Sequence, residues 1–134
     1  MTKLFVMPAE PLSPTPVELE ILAVLWQRGP STVRQIHNAF KGLRNTGYST
    51  TLKMVQVMTE KGSLLKDDST RPQIFRPSRP QEQTQVQLLD ELIQRAFSGS
   101  ASNLVLRAAS AKRITPDELA QIKKMIERKT KEKR

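Results

Sequence analysis

The sequence predicts a mostly helical chain carrying one small β-ribbon, and three observations lead there. Apolar residues recur at helical spacing in five separate segments. Two short flanks, residues 64–66 and 73–76, suit strands and bracket the polar turn Asp67-Asp68-Ser69-Thr70-Arg71-Pro72. Helix openings are marked by threonine caps, two of them in a Thr-Pro-x-Glu context. The order helix, helix, turn, helix, ribbon over residues 14–78 predicts a winged helix-turn-helix. Residues 79–134 predict a second, helical domain with a basic tail, and residues 1–13, with Pro8 and Pro11, a flexible lead-in.

The first helix opens at Thr15-Pro16-Val17-Glu18. Thr15 caps, Pro16 occupies the first helical position where its missing amide is harmless, and Glu18 reaches back. Leu19, Leu22, Ala23 and Trp26 make its stripe, widened by Ile21 and Leu25, and Gly29-Pro30 stops it. Trp26 is most simply a core anchor. The second helix, residues 32–41, is capped by Thr32 with Gln35 and carries Val33, Ile36, Ala39 and Phe40 on one side. A glycine-bounded polar run, residues 42–47, turns the chain into the third helix.

That third helix, residues 48–62, carries the most information. Ser49 is its expected N-cap and Gly62 its stop. Thr51, Met54, Val55 and Met58 form the buried stripe, so Ser49, Lys53 and Gln56 fall on the opposite face, flanked by Thr50 and Leu52. A cation, hydroxyls, an amide and an aliphatic group together suit a major groove, which presents phosphates, base edges and thymine methyls. The same face also reads as a solvated helix surface. Arg71 stands at the ribbon tip, where a phosphate or the flanking minor groove is within reach.

Residues 76–80 (Arg-Pro-Ser-Arg-Pro) read as a linker. Helix four, residues 81–97, shows Val86, Leu89, Ile93, Ala96 and Phe97 on one side, broadened by Leu88 and Leu92. Residues 101–109 hold Leu104, Val105 and Leu106. The last helix opens at Thr115-Pro116-Asp117-Glu118 and presents Leu119, Ile122, Met125 and Ile126. Roughly 55 residues make a marginal independent domain, and three short helices cannot enclose this apolar surface alone. Burial across a two-fold axis solves the problem, which makes Leu89, Ile93, Phe97, Leu104, Leu119, Ile122 and Ile126 the expected dimer interface. Folding back onto the winged helix of the same chain is the alternative. Residues 129–134 read as a frayed, solubilising end.

Charge agrees with a polyanionic partner. The 134 residues carry 22 basic and 13 acidic side chains, a net charge of +9. Between Arg28 and Arg76 lie nine Lys/Arg against three acids, so most of the excess falls on the proposed reading unit. No cysteine is present, which removes disulfides, thiolate metal sites and cysteine nucleophiles. His37 is the single histidine, with no second one to share a metal, and reads as a surface residue. No Gly-rich phosphate loop or nucleophile elbow occurs. The sequence therefore predicts a protein that is not an enzyme and uses no cofactor or metal. Residues 4–7 are too short an apolar run for a signal-peptide core and nothing approaches a membrane span, so the cytoplasm is the expected location.

Taken together, the segments Pro16-Val-Glu-Leu-Glu-Ile-Leu-Ala-Val-Leu-Trp26, Thr32-Val-Arg-Gln-Ile36, Tyr48-Ser-Thr-Thr-Leu-Lys53, Glu60-Lys-Gly62, Ala96-Phe-Ser-Gly-Ser100 and Asn103-Leu-Val-Leu106 resemble the penicillinase-repressor family of bacterial transcription regulators (the BlaI, MecI and CopY types). The resemblance runs over nearly the whole chain, from about residue 14 to 129. It implies a winged-helix N-terminal domain, a helical C-terminal dimerisation domain, and repression by occupation of a dyad operator in double-stranded DNA. Its groove-reading positions fall on Ser49, Thr50 and Lys53. The copper-responsive branch carries a cysteine-rich metal site, which has no counterpart here. The β-lactam-responsive branch is released by proteolysis at an Asn-Phe bond after Leu-Val-Leu, with a membrane sensor protease as partner. Here Leu104-Val105-Leu106 is followed by Arg107-Ala108, so the releasing signal stays open.

Three functions compete on these residues: a homodimeric, sequence-specific repressor, a winged-helix module that binds protein without sequence-specific DNA binding, and a charge-driven nucleoid-type binder. The basic excess from Arg28 to Arg76 speaks against the second. A face that includes Leu52 and Gln56 speaks against the third.

Overall fold

The computed structural model describes residues 13–40 and 45–132. Its elements run α1 (Pro16–Arg28), α2 (Val33–Phe40), α3 (Tyr48–Glu60), β1 (Leu64–Asp67), β2 (Ile74–Pro77), α4 (Gln81–Ala96), α5 (Ala101–Ser110) and α6 (Pro116–Glu132). This is a mostly helical fold with one antiparallel β-ribbon, as the periodicities predict. Packing divides the chain into two compact units, Met1–Leu88 and Leu89–Arg134, so α4 contributes to both.

Local chemistry fixes the helix starts. In α1 the Thr15 hydroxyl accepts from the Glu18 amide at 3.2 Å, and the Glu18 carboxylate accepts from the Thr15 amide at 3.1 Å. Thr32 and Gln35 repeat this reciprocal cap on α2 at 2.9 and 3.1 Å, as Thr115 and Glu118 do on α6 at 2.8 and 3.1 Å. Each pair satisfies two amides that a helix N-terminus otherwise leaves unpaired. Gly29, at φ 94°, ends α1 in a conformation that side chains rarely adopt.

Helix α3 corrects one expectation. Its cap is Gly47, not Ser49, and no side chain bonds there. The chain is already extended at Gly47 (φ −72°, ψ 157°), and its carbonyl accepts from the Thr51 amide at 3.2 Å. Tyr48 is thus the first helical residue and Ser49 lies within the first turn. The C-terminus is as expected: Gly62 takes φ 88°, its amide bonds Thr59 O, and the Ser63 amide bonds Met58 O at 2.9 Å. That pair of bonds is the Schellman closure.

In the first unit, one cluster joins every element up to the ribbon. Ile21, Leu22 and Leu25 of α1 meet Val33, Ile36 and Phe40 of α2, Val55 and Met58 of α3, Leu64 of β1 and Phe75 of β2. Burying each of these large side chains contributes about 1.5–3 kcal/mol. The stripes are rotated slightly from the expected ones. Ala23 and Ala39 are exposed, whereas Glu18, Val24 and His37 are buried. Trp26 packs on the rim of the cluster and donates from Nε1 to Arg79 O at 3.4 Å. Glu18 is paired with Lys61, whose Nζ lies 3.0 and 2.8 Å from its two oxygens.

The ribbon pairs Leu64 with Pro77, Leu65 with Arg76, Lys66 with Phe75 and Asp67 with Ile74. Ser31 adds a bridge to Phe75 on the other side, bonded in both directions at 3.0 and 2.8 Å. The expected linker, residues 76–80, is therefore shorter, because Arg76 and Pro77 belong to β2. Ser78 is also fixed: its amide bonds Ser63 O at 3.0 Å and its hydroxyl bonds Gly62 O at 2.6 Å. Packing continues past residue 78, since Thr84 in α4 is buried and lines a small recess with Leu22 and Pro14.

The second unit is built differently. Helix α4 ends through Ser98 and Gly99, both at positive φ, with the Gly99 amide on Ile93 O at 2.9 Å. Ser100 then caps α5 by accepting from the Asn103 amide. Neither α5 nor α6 contains a buried residue. The basic end is not frayed over its described part, since α6 stays helical to Glu132. The expected lead-in falls outside the described residues except for Ser13, and so do residues 42–44 of the turn between α2 and α3. No helix among the described residues is long and apolar enough to cross a membrane.

Candidate nucleic-acid interface

The outward face of α3 stands where its core-facing side dictates. Thr51, Val55 and Met58 are buried, which turns Ser49, Thr50, Lys53 and Gln56 outward, all exposed. Leu52 is half-buried. It packs on the core cluster with one side and lines a groove with the other.

That groove, of about 580 Å³, runs between α3, the N-terminal turn of α2 and the ribbon. Leu52, Gln56, Thr59 and Glu60 line it from α3, with Tyr48 at the start of that helix. Thr32, Val33 and Arg34 enclose it from α2, and Lys66, Pro72, Gln73 and Phe75 from the ribbon. The structure thus brings Leu52 and Gln56 together with the ribbon. Ser49, Thr50, Lys53 and Arg71 are not part of its lining.

Arg71 sits in the ribbon turn, exposed, with its Nη1 donating to Asp68 O at 2.9 Å and Thr70 O at 3.0 Å. The guanidinium so braces the turn with one nitrogen while further donors remain on the fork. The peptide that follows, Arg71–Pro72, is cis. The turn is held elsewhere by Ser69, whose amide and hydroxyl both donate to Asp67 Oδ1 at 2.9 and 2.6 Å. Those bonds, the hydroxyl's first, lower the Asp67 pKa below the usual aspartate value. Gln73 Nε2 closes the base of the turn on Asp68 at 2.6 Å.

His37 corrects another expectation, since it is only 6% exposed. Its Nδ1 lies 3.0 Å from Thr51 Oγ1, and its ring meets Tyr48 edge-on at 5.5 Å. A polar pair is thereby satisfied inside the α2–α3 contact. Arg34 completes the set, with its guanidinium carbon 4.0 Å from the centroid of the Tyr48 ring. Arg34 and Tyr48 are absent from the DNA-contacting residues that the sequence predicts. The buried stripe of α3 contains a hydroxyl, Thr51, which needed a partner; that was the signal that could have found His37, and Tyr48 through it.

The second unit places the expected interface residues at its surface. Leu89, Leu119 and Ile126 are exposed, Ile126 to 60%, while Ile93, Phe97, Leu104 and Ile122 are half-buried. Val86, Leu92, Val105, Leu106 and Met125 are exposed as well, and Leu106, at 65%, most of all. Among the described residues no group of His, Asp and Glu could hold a metal ion.

A helix-turn-helix followed by a ribbon, with a mixed polar face on the second helix, defines a winged-helix DNA-binding transcription regulator. The profile of the penicillinase repressor family matches residues 14–128, and the chain belongs to that family. No curated protein matches it in sequence. Several solved structures are similar to it, two of which follow. One is a MarR family transcriptional regulator from Silicibacter pomeroyi, 19% identical, with a TM-score of 0.43 over 88% of this chain and 69% of that one. The other is BpsR of Bordetella bronchiseptica, whose DNA binding is regulated by 6-hydroxynicotinic acid. It is 14% identical, with a TM-score of 0.42 over 92% of this chain and 83% of that one.

Proposed function

We propose that this regulator is a homodimeric repressor that occupies a dyad operator. Two α3 helices enter successive major grooves, and Ser49, Thr50, Leu52, Lys53 and Gln56 meet base edges and phosphates. Arg71 meets the backbone from the ribbon turn. The observation that carries this reading is the outward face of α3, in which a cation, hydroxyls and an amide stand exposed over a helix whose other side is locked into the core.

Dimerisation follows from the second unit. Leu106 and Ile126 are exposed on helices that bury nothing of their own, and Leu89 is exposed on α4. A second copy of the same chain covers them, through an interface that includes Ile93, Phe97, Leu104, Leu119 and Ile122. Linking two reading heads raises the effective concentration of each at its half-site. A signal that loosens this unit, by cleavage near Leu106–Ala108 or otherwise, therefore releases the operator without touching α3.

Footprinting on genomic fragments selected by the protein, with sedimentation of the free protein, tests the proposal. A short dyad footprint and a dimer are expected. Lys53→Ala should lower the salt slope of binding by about one if Lys53 meets a phosphate, or cost roughly 1–3 kcal/mol at one base pair if it meets guanine. A monomer at concentrations that saturate the operator would refute the dimeric mechanism, and absence of DNA binding would point to a protein-interaction module.

A further inference from the structure

We infer that Arg34, on α2, is a phosphate-gripping residue of the DNA interface, and that Tyr48 holds it ready. This rests on the DNA-binding reading above and adds to it a contact from outside the third helix.

Tyr48 opens α3, and Arg34 lies in the first turn of α2. The guanidinium stacks on the phenol ring at 4.0 Å. The ring itself is held by a second contact, because buried His37 meets it in a T-shaped arrangement and His37 is bonded to Thr51. An arginine stacked on an aromatic face loses rotamer freedom before it binds anything, while the donors on its rim stay directed outward. The ring is uncharged, so stacking leaves the full positive charge available. Such a fork suits the paired oxygens of a phosphate.

Charge along the groove says which end a DNA strand takes. Tyr48 and Glu60 are the first and last residues of α3 and both line the groove; at helical rise they stand about 18 Å apart. Glu60 repels phosphate at one end. Arg34 stands beside Tyr48 at the other. The ribbon's cation in the groove, Lys66, has the Asp68 carboxylate at 3.7 Å, which offsets part of its charge. A phosphate is therefore drawn to the Arg34 end, next to the turn of α3 that bears Ser49, Thr50 and Lys53. Gripping it there sets the depth at which those side chains meet the bases.

The test uses the full chain, a mixed-sequence duplex of about 30 base pairs, or three helical turns, and the duplex recovered by genomic selection. Binding is titrated over a range of salt. Arg34→Ala should weaken both duplexes by similar factors, roughly 3- to 10-fold, and lower the salt slope by about 0.9 for each chain bound. Arg113→Ala removes the same charge from an exposed site in the second unit and should change neither. Arg34→Lys should restore the slope but only part of the affinity. Tyr48→Leu should approach Arg34→Ala, with no further loss when the two are combined, and Tyr48→Phe, which keeps the stacking face, should rescue most of what Tyr48→Leu loses. Thermal melting checks each fold, and Arg34 is exposed, so its variants fold whatever Tyr48→Leu does. Equal binding by Arg34→Ala and Arg113→Ala would overturn the contact while leaving the DNA-binding reading intact, provided Lys53→Ala still weakens binding. If the parent protein binds neither duplex, both readings fall.

Discussion

The two units of this chain solve the burial problem in opposite ways. Up to Leu88, three helices and a ribbon converge on a single cluster that includes Ile21, Ile36, Phe40, Val55 and Met58, all shielded from water. Beyond Leu88, helices with comparable apolar stripes bury no residue completely. The first unit is a finished core that fixes the outward face of α3. The second has the composition of a core without an inside, which is the surface that the proposed dimer covers.

The largest effect expected from this contrast is on the finished core. Phe40→Ala removes a fully buried ring and should destabilise the first unit by about 3–5 kcal/mol, read by chemical denaturation. An equal truncation at the exposed Ile126 should leave that transition where it is. A loss shared between both units would show that the packing division is not a thermodynamic one.

Concentration supplies the second lever. Melting of the second unit should shift upward as protein concentration rises, because association stabilises it by mass action. Ile126→Asp should remove the concentration dependence and yield a monomer by sedimentation. A concentration-independent transition in the parent protein would contradict dependence on a second copy.

A smaller effect comes from a device that both units share. Thr15 and Thr115 cap their helices through the same reciprocal bonds with a glutamate. Only Glu18 is also buried and paired with a lysine. Thr15→Ala should cost about 1–2 kcal/mol and Thr115→Ala about 0.5–1 kcal/mol, measured by denaturant unfolding of each variant. Equal costs would mean that the Lys61 pair adds nothing to the cap at α1.

Sequence legibility tracks the range of the interactions. The three reciprocal caps and the Gly29 and Gly62 stops depend on residues at most a turn apart, and all were readable. Gly47 was not, because a glycine cap bonds through its backbone and leaves no side-chain signature, whereas Ser49 offered one. Burial of His37 depends on Thr51, fourteen positions away, and on a crossing of α2 and α3 that no periodicity reveals. Reading stripes by residue identity favoured Ala23 and Ala39 over Glu18 and His37, although position on the helix decides what is covered. The outward face of α3 was legible because its opposite side is apolar. The Arg34–Tyr48 stack was hidden for the same reason as His37. In the second unit the stripes were plain, and the single chain leaves them exposed.

Ser78 joins places that the sequence keeps apart. With its hydroxyl on Gly62 O and its amide on Ser63 O, the chain leaving the ribbon is riveted to the chain entering it, directly behind the last turn of α3. Trp26 adds a second fastening one residue later, at Arg79. The linker expected at residues 76–80 is thereby pinned at Ser78 and Arg79. A displacement of Ser78 is therefore passed directly to Gly62 and Ser63, the residues that close α3.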